Sequence, residues 1–165
     1  MTHITMTHGA GGSYMQTLIK DYIVKYLGGS SAEVPLEALD DSAVIDDIVL
    51  KSDSHTIKPL FFPGGDIGRL AIAGTVNDIA VLGAEPIALT SAFVIEDGFP
   101  LDSFERIVQS MRDACHESGV HVLTGDTKVM ERGALDKLIV NTSGIGRRSP
   151  ALTYNLQEVR KYRSH

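Results

Sequence analysis

The stretch "DIGRLAIAGTVNDIAVLGAEPIALTSAFVIE", residues 66–96, limits the folds open to this chain more than any other. Asp66 is placed to cap a helix running to about Leu82, and Gly83 is its stop. Ala71, Ala73, Gly74 and Ala80 are small, which permits close approach of a sheet or a partner subunit. The run "PIALTSAFVIE" is rich in β-formers and reads as a strand buried on much of both faces. Inside the helix, Asn77 and Asp78 set an amide and a carboxylate among apolar neighbours. A buried charge costs several kcal/mol unless something pairs with it. Either this helix exposes one edge to water, or the carboxylate is aimed at a cation.

The flanking segments extend the same architecture. Met15, Leu18, Ile19, Tyr22, Ile23 and Tyr26 recur at helical steps, and Gly28-Gly29 ends them. Two short β-rich runs, Ala43–Ile45 and Ile48–Lys51, flank Asp46-Asp47 and predict a hairpin with a tight acidic turn. "FFPGGD" reads as a loop, and so does the setting of His55 in "SDSHT". Leu101 to about Ser118 is the clearest helix, with Asp102 and Glu105 as an approximate capping box and Gly119 as its end. "VHVLTGDTKV" and "LDKLIVNTSGIG" read as two further strands joined through "MERGA". The order predicts an α+β domain, a mixed β-sheet covered on one face by helices. Residues 1–148 form that domain, with 1–12 as a flexible glycine-rich arm. Residues 149–165 turn basic and polar and are expected to be an atypical tail or linker stub.

Composition excludes some partners. A net charge of −6 argues against a nucleic-acid surface, which needs a concentrated basic patch. No apolar run approaches the roughly 20 residues that span a bilayer, and no leader opens the chain. A single cysteine, Cys115, permits no intrachain disulfide and suits a reducing cytoplasm. Its place in a helical stretch predicts a packed, inert thiol.

Acidic residues stand where elements end or turn: Asp40-Asp41 before a strand, Asp53 and Asp126 after strands, and Asp78 in the helix. Hard divalent cations take several oxygen ligands, and carboxylates at separate element ends can converge on one ion. Turn formation and capping are the alternative for each, since aspartate serves both routinely. "HGAGG" (8–12) could wrap phosphates with its backbone N–H groups, though it matches neither common glycine-rich phosphate motif. In "TGDTKV", Asp126 and Lys128 share a face if the strand continues. A metal-holding carboxylate beside an ammonium that reaches phosphate is what phosphoryl transfer needs. The histidines show no zinc spacing.

"HGAGG", "LDDSAVI", "SDSHTIKPLFFPGGDIGRLAIAGTVNDIAVLGAEP", "GFPLDSFERIV" and "TGDTKVMERGALDKLIVNTSGIG" together resemble the N-terminal domain of the HypE family, the carbamoyl dehydratases of hydrogenase maturation. The resemblance runs from about residue 6 to 146. HypE proteins belong with aminoimidazole ribonucleotide synthetase, selenophosphate synthetase and thiamine-monophosphate kinase in one ATP-binding superfamily.

The resemblance implies two copies pairing their sheets into a β-barrel across a homodimer, with ATP in a cleft beside it. It implies ATP and Mg2+, with Asp40, Asp41, Asp53, Asp78 and Asp126 as metal ligands. Gly9, Ala10, Gly11, Gly12, Asn77, Thr124, Gly125 and Lys128 would hold the nucleotide, and Lys128, Asp78 and Asp126 would serve the chemistry. The implied reaction dehydrates a C-terminal cysteine S-carboxamide to a thiocyanate, the source of the cyanide ligands of nickel–iron hydrogenase. Its partners would be a carbamoyltransferase and the iron-assembly scaffold proteins. The family's second domain and terminal substrate cysteine have no counterpart in these 165 residues, so an isolated or truncated domain is expected. Two alternatives accompany this reading: a dimerisation or scaffold module without turnover, and a sibling ATP-dependent small-molecule kinase.

Overall fold

The computed structural model describes residues 3–149. The expected tail beyond residue 149 lies outside them. Strands β1 (Ala43–Ile45) and β2 (Ile48–His55) form the predicted hairpin, and Asp46 and Asp47 take positive φ of 50° and 61° at its turn. Aspartate tolerates this left-handed region better than most residues do. β2 continues past Lys51 to His55, so Asp53 and His55 are strand residues, not the strand end and loop expected. "FFPGGD" is likewise no plain loop: β3 (Phe61–Phe62) and β4 (Gly65–Asp66) pair across a Pro63-Gly64 turn.

Helix α3 (Ile67–Val81) begins as predicted, the Asp66 carboxylate accepting the Arg69 N–H at 3.0 Å. Before it, α1 (Gly12–Leu18) and α2 (Lys25–Leu27) join through a π-helical segment, Ile19–Val24, and none of them carries a buried residue. After α3 comes β5 (Ala84–Glu96), then α4 (Leu101–Ser118), β6 (Val122–Met130) and β7 (Leu138–Arg148). Gly119 closes α4 at φ 66°. The expected capping box does not form. Asp102 accepts from the adjacent Ser103 N–H, Glu105 accepts from Gln109, and Pro100 stands at the cap position.

The main sheet has the order β1-β2-β7-β5-β6, with β6 parallel to β5 and every other pairing antiparallel. Helices α3 and α4 pack together, and α3 lies across β2, β7 and β5. The core sits between them and is built from Val49, Ile67, Ile72, Ile79, Leu89, Ile107 and Val140. Gly144 and Gly146 of β7 leave the room that Ile79 fills; a Cβ on Gly144 would lie 2.7 Å from Ile79 Cδ1. Glycine here permits helix α3 to approach the sheet backbone.

The opposite face of the sheet is covered by nothing among the described residues. Leu50, Ile87 and Ile145 are exposed there, so β5 is not buried on both faces as its composition suggested. The mixed sheet with helices on one face is as predicted.

Candidate functional site

Register sorts the candidate residues onto two faces. Asp53 pairs with Thr142, Thr142 with Ser91, and Ser91 with Gly125, a row that includes the buried Thr142 and Ser91. The next row, Ser54, Asn141, Ala92 and Asp126, points to the uncovered side, and Lys128 follows opposite Val94. Side chains alternate across a strand, so Asp126, Lys128 and Thr124 share the open face while Asp53 faces α3. β2 and β6 are three strands apart, about 14 Å at ordinary strand spacing.

On the helix-covered face most polar groups are tied together; the buried Ser91 hydroxyl has no hydrogen-bond partner among the described residues. Lys51 Nζ lies 2.5 Å from Asp78 Oδ2, with the two side chains 17% and 27% exposed. This answers the question that Asp78 raised: its carboxylate does face a cation, the ammonium of Lys51, which the sequence reading had not singled out. Ser42 Oγ donates to the Asp78 carbonyl at 2.9 Å. That bond sets the Asp40-Asp41 turn beside the C-terminal part of α3. Asp40 and Asp41 are exposed, and Asp40 Oδ1 accepts the Asp41 N–H. Asn77 is exposed on the same turn of α3.

Deeper in, His55 Nε2 lies 3.1 Å from Thr142 Oγ1, and Thr142 Oγ1 lies 2.6 Å from Thr75 Oγ1. Thr142 Oγ1 also lies 3.4 Å from the Ala71 carbonyl oxygen. The Thr142 hydroxyl thus joins His55, Thr75 and the Ala71 carbonyl in one cluster. Burial holds the His55 imidazole below its ordinary pKa; Asp53, 3.9 Å away, and Asp78 oppose that shift, and Lys51 adds to it. The ring is a neutral member of a satisfied buried network, and Asp53 is the charged group at its edge. Thr75 and Thr142 escaped the sequence reading because a buried hydroxyl leaves no periodic signal. Ser42 and Lys51 had one: Ser42 adjoins Asp41, and Lys51 alternates with Asp53 along the strand.

The open face is different in kind. Every residue of β6 is exposed, and neither Asp126 nor Lys128 has a hydrogen-bond or ion-pair partner among the described residues. A Cβ on Gly125 would overlap the Ser91 carbonyl oxygen, so glycine is what lets β6 close on β5 at this point. Gly9, Gly11 and Gly12 stand in open space, where a short 3-10 turn (Met6–Gly9) gives way to α1. Ala10, between them, is exposed as well. Among the described residues no group of three His, Cys, Asp or Glu side chains is close enough to hold a metal ion, so the five aspartates do not converge within one chain. Cys115 is buried, and burial raises its thiol pKa, as expected of an inert thiol. Among the described residues no helix is long and apolar enough to cross a membrane.

Comparison with known proteins adds to this geometry. The family described as "AIR synthase related protein, N-terminal domain" matches residues 39–148. The carbamoyl dehydratase HypE of Escherichia coli (strain K12) is 42% identical over 151 residues, which is 88% of this chain and 45% of that protein. A crystal structure of a HypE–HypF complex superposes with a TM-score of 0.73 at 48% identity, over 79% of this chain and 42% of that one. A crystal structure of the hydrogenase maturation protein HypE in complex with ATP gives a TM-score of 0.63 at 42% identity, over 90% of this chain and 44% of that one. The chain thus spans under half the length of these relatives.

Proposed function

This chain belongs to the AIR synthase related N-terminal domain family, and from that premise we propose that it is the nucleotide-binding half of a carbamoyl dehydratase of hydrogenase maturation. The observation that carries the proposal is the 42% identity, across 90% of the chain, to a HypE protein crystallised with ATP. In the proposed reaction the oxygen of a cysteine S-carboxamide takes the γ-phosphoryl group of ATP. Phosphate then leaves with that oxygen, nitrogen gives up its two protons, and a thiocyanate, ADP and phosphate remain.

The donor types in this chain suit a magnesium-bound triphosphate. Asp126 and the Asp40-Asp41 turn offer hard carboxylate oxygens, Asp78 lies beside that turn through the Ser42 bond, Asp53 stands farther along β2, and the ammonium of Lys128, unpaired among the described residues, suits a phosphate. Magnesium, when bound, supplies neutralisation of charge on the phosphates. The chain's own part is to orient: the Ser42 bond to α3 holds the acidic turn, and the strand pairing of Gly125 fixes Asp126 and Lys128 two residues apart on one face. Asn77, Thr124 and the Gly9–Gly12 segment are proposed to line the nucleotide.

We also propose a homodimer that pairs two open sheet faces into a barrel; the exposed Leu50, Ile87 and Ile145 support it. Such pairing would let carboxylates from two chains meet where one chain keeps them apart. A carbamoyltransferase and the iron-assembly scaffold are the proposed partners, in the cytoplasm, and the HypE–HypF complex supports the first. The failure of the aspartates to converge in one chain favours a second reading, a pairing module without turnover. Calorimetry with ATP and Mg2+ separates the two. Binding heat from the wild type that vanishes in Asp126→Asn supports the nucleotide reading; no heat from the wild type leaves the pairing module.

A further inference from the structure

Ser91 is the exception to the pairing of the covered face. It is 5% exposed, and its Oγ has no hydrogen-bond partner among the described residues. A buried hydroxyl left unbonded costs free energy that a bonded one does not. The strand register explains why it stands alone. On one side Ser91 is opposite Thr142, whose hydroxyl is engaged with His55 and Thr75. On the other it is opposite Gly125, which has no side chain to offer. Ser91 and Phe93 instead border a cavity of about 440 Å³ under α4, which Met111, Cys115, Val122 and Gly125 also line. One wall is fixed by Phe93, which meets Phe104 of α4 edge to face with ring centroids 5.2 Å apart. The charged and polar side chains that border the cavity, Arg112, His116 and His121, are all exposed and stand at its mouth. Its depth is apolar apart from the Ser91 hydroxyl and the Cys115 thiol.

We propose that this cavity binds a small phenol-like molecule, an apolar ring whose single hydrogen-bonding oxygen meets Ser91 Oγ. An apolar pocket of a few hundred Å³ with one convergent polar group is the usual form of a small-molecule site. The ring leaves water against Phe93, Met111 and Val122, and the oxygen removes the cost of the unbonded hydroxyl. A charged group at the same depth would lose its hydration with no opposite charge to meet it, so the buried end of the ligand is neutral. The cavity lies behind β6 from the side chains of Asp126 and Lys128, and its occupancy does not depend on ATP or metal.

Titration of the chain with p-cresol and with toluene, its analogue without the hydroxyl, tests this by NMR. Both are expected to shift the amide signals of Ser91, Cys115 and Gly125, with p-cresol binding wild type about five- to tenfold more tightly, the worth of one neutral hydrogen bond. In Ser91→Ala that preference is expected to vanish, p-cresol falling to the affinity of toluene while toluene is held as before. A second readout uses the one thiol of the chain. Cys115 borders the cavity, and its reaction with a small aromatic disulfide is expected to slow when p-cresol is present in wild type, and to slow much less at the same concentration in Ser91→Ala. Equal affinity of wild type for the two compounds overturns the role of Ser91. Absence of shifts at the three amides with either compound, with an unchanged thiol rate, overturns the site and leaves the hydroxyl to water alone.

Discussion

One sheet carries two unlike surfaces, and its strands supply alternate residues to each. On the side that α3 covers, His55, Thr75 and Thr142 form a connected network with Asp53 at its edge, and Lys51 and Asp78 a neighbouring pair. On the uncovered side the side chains of Asp126, Lys128 and Thr124 project with no partner among the described residues, beside exposed Leu50 and Ile145. The difference follows from solvent. A polar group under a helix loses water and must be repaid by a neighbour, whereas a group on an open face is hydrated and costs nothing to leave unpaired. The covered face is therefore committed to the fold, and the open face is free to meet a ligand or a second chain.

Four measurements test that division, beginning with the largest effect. Ile79 fills the space over Gly144 and Gly146, so Ile79→Ala should lower the unfolding free energy by about 2–5 kcal/mol in denaturant titration. A loss below about 1 kcal/mol would mean that α3 is not seated on β7 as described. Thr142→Val strips the hydroxyl that both His55 and Thr75 contact and should cost about 1–3 kcal/mol by the same assay. A neutral result would show that the network is not closed to water.

The third test is pH. Burial lowers the pKa of His55 in the folded chain below its ordinary 6.5, so the unfolded chain takes up the proton more readily. Stability from this group is complete above about pH 6.5 and falls as the pH drops through that value. The fall should flatten in His55→Gln, and an unchanged slope would remove His55 from the cause. Smallest in stability is Lys128→Ala on the open face, expected within about 0.5 kcal/mol of wild type while ATP binding heat disappears. A marked loss of stability would place Lys128 with the committed residues.

Much of the fold was legible because periodicity and punctuation reflect local physics. Asp66 capped α3, Gly119 closed α4, and Asp46-Asp47 turned the first hairpin, since each acts through its own backbone conformation. The misread cap at Asp102 shows the limit: the residue types were right, but Pro100 set the entry angle and the side chain bonded its neighbour instead. Family likeness is carried by contiguous motifs and was equally legible, and the family match spans residues 39–148.

The residues themselves settled the α+β class, the element order and the unusual carboxylate in α3, because hydrophobic spacing and local backbone preference are written in neighbouring positions. Which cation that carboxylate faces was decided only by the assembled sheet. Lys51 and Asp78 lie on different elements, and their meeting depends on how β2 and α3 stack. Tertiary packing also decided that Asp53 and Asp126 face opposite sides, since a strand's face is assigned by which side the helices cover.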